Sequence, residues 1–302
     1  MSTLLEILVH DIVPIFVVIG LGYAYARRTQ PSLPTLSHLT FYILSPSLVF
    51  ISLVESNIAG GEVAQIAVFV VTLTLLMGVL ALAVARLLRL SARQTSGFLL
   101  AAMFVNAGNY GLGVNRLAFG AEVETRAVLY FVTSSVLVYT FGVLIAKGFA
   151  GGWRGAIRQL LALPHIYALS AALIIRAAQW QVPQPILDGL SFPAQAAIPL
   201  MLLLLGAQLV HAEVGLYWRP ALAATGLSLI IAPLVAFGLS SLLGLATQTR
   251  QAVVLEASMP AAVITTLIAT EFQAEPKLVT GAVVLSTLIS PITLSVVIAL
   301  LK

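Results

Sequence analysis

The stretch "VNAGNYGLGV", residues 105–114, decides how this chain can fold. It places two Asn, three Gly and a Tyr inside a run that is otherwise apolar. Each Gly costs about 1 kcal/mol relative to Ala in a helix interior. Backbone that leaves the helix inside a bilayer survives only where it lines a cavity or is buried in protein. The stretch therefore predicts an interrupted helix and raises the question of what its polar groups bind.

The composition indicates an all-α integral membrane protein. The chain has 302 residues, of which 60% are hydrophobic and 9% charged, and its mean hydropathy is +1.06. Soluble domains are about one quarter charged. Apolar runs of about 20 residues indicate transmembrane helices rather than the short alternating strands of a barrel. The chain has no Cys, so a disulfide, a thiol nucleophile and a Cys metal site are excluded.

Ten apolar segments predict ten transmembrane helices, or spans. They cover roughly residues 8–26, 33–54, 63–88, 92–118, 124–147, 164–181, 186–210, 218–244, 248–272 and 277–301. The first segment begins without a basic region or a cleavage site, so we interpret it as a retained span and not a signal peptide.

The Lys and Arg residues predict the orientation. Ten of the fifteen follow odd-numbered spans: Arg27, Arg28, Arg86, Arg89, Arg93, Lys147, Arg154, Arg158, Arg219 and Lys277. The other five are Arg116, Arg126, Arg176, Arg250 and Lys302. The positive-inside bias then places both termini on the non-cytoplasmic side of the cell inner membrane. A net charge of only +4, spread over short loops, indicates topology and not nucleic-acid binding.

An internal repeat predicts two halves, residues 1–150 with spans 1–5 and residues 151–302 with spans 6–10. "LLRLSARQTSGFLLAA" (87–102) aligns without a gap with "LLGLATQTRQAVVLEA" (242–257), and "FGAE" (119–122) with "FQAE" (272–275). Because five is odd, the second half must enter the membrane inverted, as in many secondary transporters. Chance similarity among Leu- and Ala-rich helices is the alternative. The link, residues 147–164, has the pattern of an amphipathic helix on the cytoplasmic surface.

A second break is predicted in span 9, at the place equivalent to the opening stretch. "ASMPAAVIT" (257–265) carries Pro260 in mid-span, where it removes a helical hydrogen bond. Paired breaks of this kind indicate a binding site at the membrane midplane. Close helix packing through small residues is the alternative; it accounts for the glycines but not for Asn106 and Asn109.

These motifs resemble the auxin efflux carrier family, in its bacterial branch. "NAGNYGLG" (106–113) is similar to that family's Asn-x-Gly-Asn-x-Gly-Leu-Pro signature, although Gly113 stands where the family usually has Pro. Residues 257–294 resemble its last two spans, and "VPIF" (13–16) and "SPSLVF" (45–50) fit its first two. The resemblance covers essentially the whole chain.

The resemblance implies ten helices in two inverted repeats, with spans 4 and 9 broken and crossing. Spans 1, 2, 6 and 7 would form a scaffold, and spans 3–5 and 8–10 a transport domain that moves in an elevator-type, alternating-access cycle. It also implies a homodimer and transport of small organic anions, which are auxin in plant members and small carboxylates in bacterial ones. Ser135 and Tyr139 of span 5 would lie near the substrate.

The site is predicted to bind a carboxylate without a buried cation, because Arg176 lies near the outer end of span 6. Helix N-termini carry a partial positive charge and free N–H groups, and Asn amides add donors. The predicted substrate-binding residues are Asn106, Gly108, Asn109, Tyr110 and Gly111 in span 4, Ser258, Pro260 and Ala261 in span 9, Pro46, Ser47 and Pro199 on the scaffold side, and Ser135 and Tyr139.

Glu256 is the proton-coupling candidate, because intramembrane carboxyl groups are costly and functional by default. A water-facing Glu in the outer vestibule is the alternative. The other acidic and His residues of interest are predicted to be interfacial, near span ends: His10, Asp11, His38, Glu55 and Glu62.

Other classes of function fit the sequence less well. An enzyme needs a nucleophile or a metal set, but the chain has no Cys and no His-Glu-x-x-His motif, and its four His are scattered. No catalytic residue, metal or cofactor is predicted. A channel needs a continuous polar path, whereas the polar residues cluster at one level. The rival is a sodium-coupled symporter of the bile acid type, for which Glu256 and Gln251 are the candidate ligands.

Overall fold

The computed structural model describes residues 4–148, 161–210 and 217–302. The predicted amphipathic link lies mostly outside these residues. The described residues form helices only, apart from turns and one isolated backbone bridge. The helices are α1 (Leu4–Thr29), α2 (Leu33–Val54), α3 (Gly60–Leu87), α4 (Ala92–Met103), α5 (Leu112–Phe119), α6 (Ala121–Ala146), α7 (Pro164–Ala177), α8 (Gln184–Leu209), α9 (Trp218–Leu242), α10 (Thr247–Ala257), α11 (Val263–Glu271) and α12 (Pro276–Leu301).

Seven of these helices, α1, α2, α3, α6, α8, α9 and α12, are long and apolar enough to cross a membrane. The all-helical membrane class is therefore confirmed. The shorter helices α4, α5, α7, α10 and α11 fall within the other three predicted segments. The count of ten spans and the inverted repeat stay predictions.

Both predicted interruptions are present. The first separates α4 from α5: regular helix stops at Met103, and a π turn at Ala107–Gly111 leads into α5. It begins at residue 104, just before the stretch 105–114 that predicted it, because residues 104–106 pair with the second interruption. That interruption covers residues 258–262, between α10 and α11.

The helices pack in two groups. α1, α2, α7 and α8 pack on one another, and α1 crosses α8 at two glycines. Gly22 lies against the backbone carbonyl of Leu203, and Gly206 against that of Ile19, so that a side chain at either Gly would collide with backbone. The remaining helices pack mainly among themselves. The division of the chain into a scaffold and a moving transport domain stays a prediction.

An ion pair joins the two groups near the chain ends. Asp11, predicted to be interfacial, is 7% exposed within the protein, and its Oδ2 lies 2.6 Å from Nζ of Lys302. Burial is tolerated here because the ammonium group provides a counter-charge and a hydrogen bond.

Candidate functional site

The two interruptions meet and satisfy each other's backbone. The Asn106 N–H donates to the Pro260 carbonyl at 2.8 Å, and the Ala262 N–H donates to the Phe104 carbonyl at 2.9 Å. Unpaired backbone groups would cost several kcal/mol each in a membrane. Pro260 has no backbone N–H, so no hydrogen-bond acceptor is needed for a donor at this position of the crossing. The crossing is therefore an antiparallel contact of two extended segments, held between four helix ends.

A cavity of about 340 Å³ lies beside this crossing. Its wall comes from α2, the π turn at Ala107–Gly111, α6, α8 and the beginning of α11. The lining residues are Ser37, His38, Thr40, Phe41, Tyr42, Ser45, Val105, Asn106, Ala107, Gly108, Asn109, Phe131, Ser134, Ser135, Val138, Tyr139, Met201, Leu204, Gln208, Ala262, Ile264 and Leu267. A volume of this size suits a small molecule.

π turns shape much of the wall. Thr40–Leu44 and Val138–Gly142, like Ala107–Gly111, have π geometry, and each contributes residues to the cavity. A π turn inserts one extra residue into a helix and often marks a functional site. Here it changes which side chains face the cavity relative to an uninterrupted helix.

Several polar groups in the wall have no partner. Asn106 Nδ2 and Gln208 Oε1 are buried without a hydrogen bond in the described part of the chain. Ser134 is a buried residue whose hydroxyl also makes none, whereas every other buried Ser and Thr in the described ranges bonds to a carbonyl or a side chain. No Lys or Arg of the described residues lines the cavity. The wall thus offers donors and an acceptor but no fixed cation.

The predicted site residues divide into two sets. Asn106, Gly108, Asn109, Ser135 and Tyr139 line the cavity. The others do not line it: Tyr110, Gly111, Ser258, Pro260, Ala261, Pro46, Ser47 and Pro199.

Most of the second set is engaged within the protein. The Tyr110 hydroxyl lies 3.1 Å from Ser290 Oγ, and the Ser258 hydroxyl donates to the Val254 carbonyl at 2.7 Å. The Ala261 N–H donates to Ser286 Oγ at 3.1 Å. These hydrogen bonds tie the two interruptions to neighbouring backbone and side chains, and substrate binding by these residues stays a prediction. On the scaffold side, the Ser47 hydroxyl donates to the Ile43 carbonyl at 2.7 Å, and Pro199 lines a different cavity.

Sequence reasoning missed a buried pair at the cavity wall. Ser45 Oγ lies 2.5 Å from Nε2 of His165, and the imidazole packs edge-on against Phe41 and Phe131 at ring-centre distances of 4.9 and 5.2 Å. Ser45 lies on α2 and His165 on α7, and no sequence pattern relates the two positions. Gln208, also missed, had a visible signal: it is a lone amide near the end of the apolar run "LMLLLLGAQLV" (200–210).

Glu256 lies behind the crossing and is fully buried, at 0% exposure. Its Oε1 accepts a hydrogen bond from Asn115 Nδ2 at 3.0 Å. Glu256 Oε2 and Asn115 Oδ1 have no partner among the described residues. The carboxyl group lies so close to the backbone of Gly111 that a Cβ there would collide with it. The water-facing position considered for Glu256 is therefore not the one found in this structure.

A second cavity, of about 980 Å³, lies at the other end of the bundle. Ion pairs border it: Arg116 with Glu124 at 2.7 Å, and Arg126 with Glu62 at 2.6 Å. Helix α8 contributes to both cavities, with Ile198 on one side and Met201 on the other. The backbone of Gly113 lies against this part of α8. The two cavities therefore lie at successive positions along α8, and only the smaller one is lined by residues of the crossing.

An apolar helical bundle with two interrupted helices that meet beside a cavity is an architecture found in membrane transporters. A comparison of the sequence identifies the family to which the chain belongs. A sequence model described as membrane transport protein matches residues 7–150 and 154–298, so the chain belongs to this family, which is the auxin efflux carrier family that its motifs resemble.

Two relatives are themselves described as uncharacterized transporters. One, from Methanothermobacter thermautotrophicus, is 27% identical over 290 residues, which cover 94% of this chain and 95% of the relative. The other, from Methanocaldococcus jannaschii, is 25% identical over 268 residues, which cover 84% of this chain and 85% of the relative.

Proposed function

We propose that the protein is a secondary active transporter of small organic anions. The observation that carries this proposal is Asn106, a residue at the crossing and in the wall of a cavity lined by no described Lys or Arg, whose buried Nδ2 has no partner. A buried donor without a partner costs about 1–3 kcal/mol. A carboxylate that accepts from it would remove this cost on binding.

The rest of the anion site follows from the same wall. Asn109, Ser134 and Ser135 add donors, and α11 begins at Val263, directly after the crossing. A helix N-terminus carries about half a positive charge and free N–H groups. Binding spread over several weak contacts suits a carrier, because the substrate must also leave.

Alternating access would use the two cavities in turn. The 340 Å³ cavity lies toward the loops that follow the odd-numbered predicted spans, where the basic residues are more frequent, and is thus proposed to open to the cytoplasm. The protein would then lie in the cell inner membrane with both termini on its non-cytoplasmic side. The group containing the crossing would move against α1, α2, α7 and α8 as an elevator, in a homodimer held together by the scaffold.

The anion-binding proposal is tested with two probes of matched shape, phenylacetate and phenylacetamide. A ligand that binds the folded state raises its melting temperature by mass action. We expect phenylacetate to stabilise the purified protein and the neutral amide to do so much less. Equal stabilisation by both would show that the cavity does not select an anion.

Energy coupling is proposed to involve Glu256, as the acceptor of a proton. A second candidate is symport with sodium, favoured by the two unpartnered oxygens, Glu256 Oε2 and Asn115 Oδ1, since a hard cation takes oxygen ligands. Uptake into proteoliposomes under an imposed proton gradient or an imposed sodium gradient distinguishes the two. The gradient that drives accumulation identifies the coupling ion, and accumulation under neither would refute coupling.

A further inference from the structure

Two helix ends of this protein form the same turn. The turn after α3 (residues 88–91) and the turn after α9 (residues 243–246) lie at aligned positions of the sequence stretches 87–102 and 242–257. Each closes with the two backbone hydrogen bonds of a Schellman motif. The donors and acceptors are Arg89 N–H to Arg86 carbonyl and Leu90 N–H to Ala85 carbonyl, at 3.0 Å, and Gly244 N–H to Ser241 carbonyl and Leu245 N–H to Ser240 carbonyl, at 3.1 Å.

The two turns place different residues at their left-handed position. Arg89 has a φ of 52° and Gly244 a φ of 60°. Gly adopts this conformation readily, whereas the Cβ of any other residue strains it. Since the second turn forms with Gly, the backbone of the first turn does not require an Arg. The Arg is therefore unfavourable for the local fold.

The charge of the two turns also differs. Residues 86–93 contain three Arg and no acidic residue, whereas the aligned residues 241–248 contain no charged residue. Both turns lead into a helix N-terminus, that of α4 or that of α10, so the helix dipole is alike at the two turns. The guanidinium groups are what distinguishes the first turn.

These guanidinium groups have no partner in the described part of the chain. Arg86, Arg89 and Arg93 are all exposed, and no side-chain hydrogen bond or ion pair of the described ranges involves them. Glu275 lies beside Gly97, one turn further along α4, and forms no ion pair with them. The first turn thus presents positive charge that the described protein does not neutralise.

Exposed leucines accompany the three Arg. Leu87 is 82% exposed and Leu88 is 41% exposed, at the end of a helix that is long and apolar enough to cross a membrane. Cations beside apolar side chains suit the boundary between lipid headgroups and acyl chains. A soluble anion would contact the Arg residues and leave the leucines in water. The combination therefore favours a lipid over a soluble anion.

We propose that residues 86–93 bind the phosphate headgroup of an anionic phospholipid. The guanidinium groups donate hydrogen bonds to the phosphate, and Leu87 and Leu88 contact the acyl chains. One Arg near an anionic membrane surface strengthens association about fivefold. The inference does not rest on the proposed anion transport, because it uses no residue of the cavity at the crossing.

The test measures which lipid lies beside each turn. Because the chain has no Cys, one fluorophore can be attached through Leu87→Cys or through Leu242→Cys, at positions that are each 82% exposed. Quenching by brominated phosphatidylglycerol and by brominated phosphatidylcholine, in mixed bilayers, gives the relative association constant of the two lipids. We expect phosphatidylglycerol to be preferred at least fivefold at position 87 and neither lipid to be preferred at position 242.

Variants of the full chain assign the preference to the three Arg. Replacing Arg86, Arg89 and Arg93 together with Gln should abolish it. Arg89→Gly gives the first turn the residue of the second, so it should raise the melting temperature in phosphatidylcholine and lower the preference about fivefold. The matched control replaces Arg27 and Arg28, which are exposed at the end of α1, with Gln and should keep the preference at position 87.

Three results would overturn the proposal. The first is an equal preference at both turns, and the second is a preference that survives the triple replacement or is lost in the α1 control. The third comes from soluble glycerol phosphate, which carries the same phosphate chemistry without acyl chains. If it removes the preference while sodium chloride of the same ionic strength does not, the turn binds free phosphate and not a lipid.

Discussion

Replacing Asn106 with Ala should raise the stability of the ligand-free protein and weaken substrate binding. The side-chain Nδ2 has no partner, while the main-chain N–H bonds the Pro260 carbonyl and is retained in Ala. An unsatisfied buried polar group costs about 1–3 kcal/mol. The truncated side chain borders an existing cavity, so a new closed void should not offset this gain. We expect the free energy of unfolding to rise by about 1 kcal/mol.

Binding should change in the opposite direction. A hydrogen bond to a charged group contributes about 1.5–3 kcal/mol, so the dissociation constant for phenylacetate should rise by about ten- to a hundredfold. The assay measures melting temperature without ligand and affinity for phenylacetate on the same samples. Opposite signs in one variant are the signature of a polar group kept for its ligand.

Asn115→Ala is the matched control. Asn115 Nδ2 donates to the Gly111 carbonyl at 2.9 Å and to Glu256 at 3.0 Å. Its removal leaves two buried acceptors without that donor, so the melting temperature should fall. If Asn106→Ala also melts lower, or binds phenylacetate normally, the amide is structural and the site lies elsewhere. The packing alternative makes a distinct forecast: Gly108→Leu, whose Cβ would lie 2.6 Å from the Phe131 ring, would disturb assembly while Asn106→Ala binds normally.

The remaining predictions concern coupling, packing and topology. Glu256→Gln should remove the pH dependence of transport, because the amide cannot exchange a proton near neutral pH, and it should leave phenylacetate binding measurable. An unchanged pH profile of transport in proteoliposomes would mean that Glu256 has a structural role only. Gly111→Ala should lower the melting temperature, since its Cβ would collide with the Glu256 carboxyl, and pairing it with Glu256→Ala should recover part of the loss. Reporter fusions should place both termini outside the cytoplasm, and a cytoplasmic C-terminus would contradict both the orientation and the five-plus-five repeat.

The interruptions could be predicted because their causes are local. Three glycines within six residues and a mid-span Pro260 disfavour helix in any surroundings. Their consequences for Asn106 and Asn109 followed, since polar side chains at a break in a membrane need a cavity. The crossing itself has no local cause, because it joins segments from different halves of the chain, and it was expected only from the resemblance to the family.

The scaffold side of the cavity could not be predicted in the same way. Pro46 and Ser47 were expected there, but the π turn at Thr40–Leu44 brings residues one turn earlier to the wall, and no composition signal marks a π turn. The contact of Ser45 with His165 joins positions 120 residues apart. Only the packing of α2 against α7 brings them together, and a single sequence contains no measure of that packing.

The crossing also shows how a buried carboxyl group and a substrate cavity can influence each other. The Gly111 N–H donates to the Asn106 carbonyl at 3.0 Å, and the Gly111 carbonyl accepts from Asn115 Nδ2, which also holds Glu256. One π turn therefore has the cavity residue at one end and the carboxyl group at the other. A proton or cation that alters how Glu256 lies against Gly111 acts on the same turn that positions Asn106. If the proposed ion at Glu256 changes the affinity of Asn106 for the proposed anion, linkage requires the anion to change the affinity of Glu256 for that ion by the same factor. The single turn between the two residues would give such coupling a short structural route.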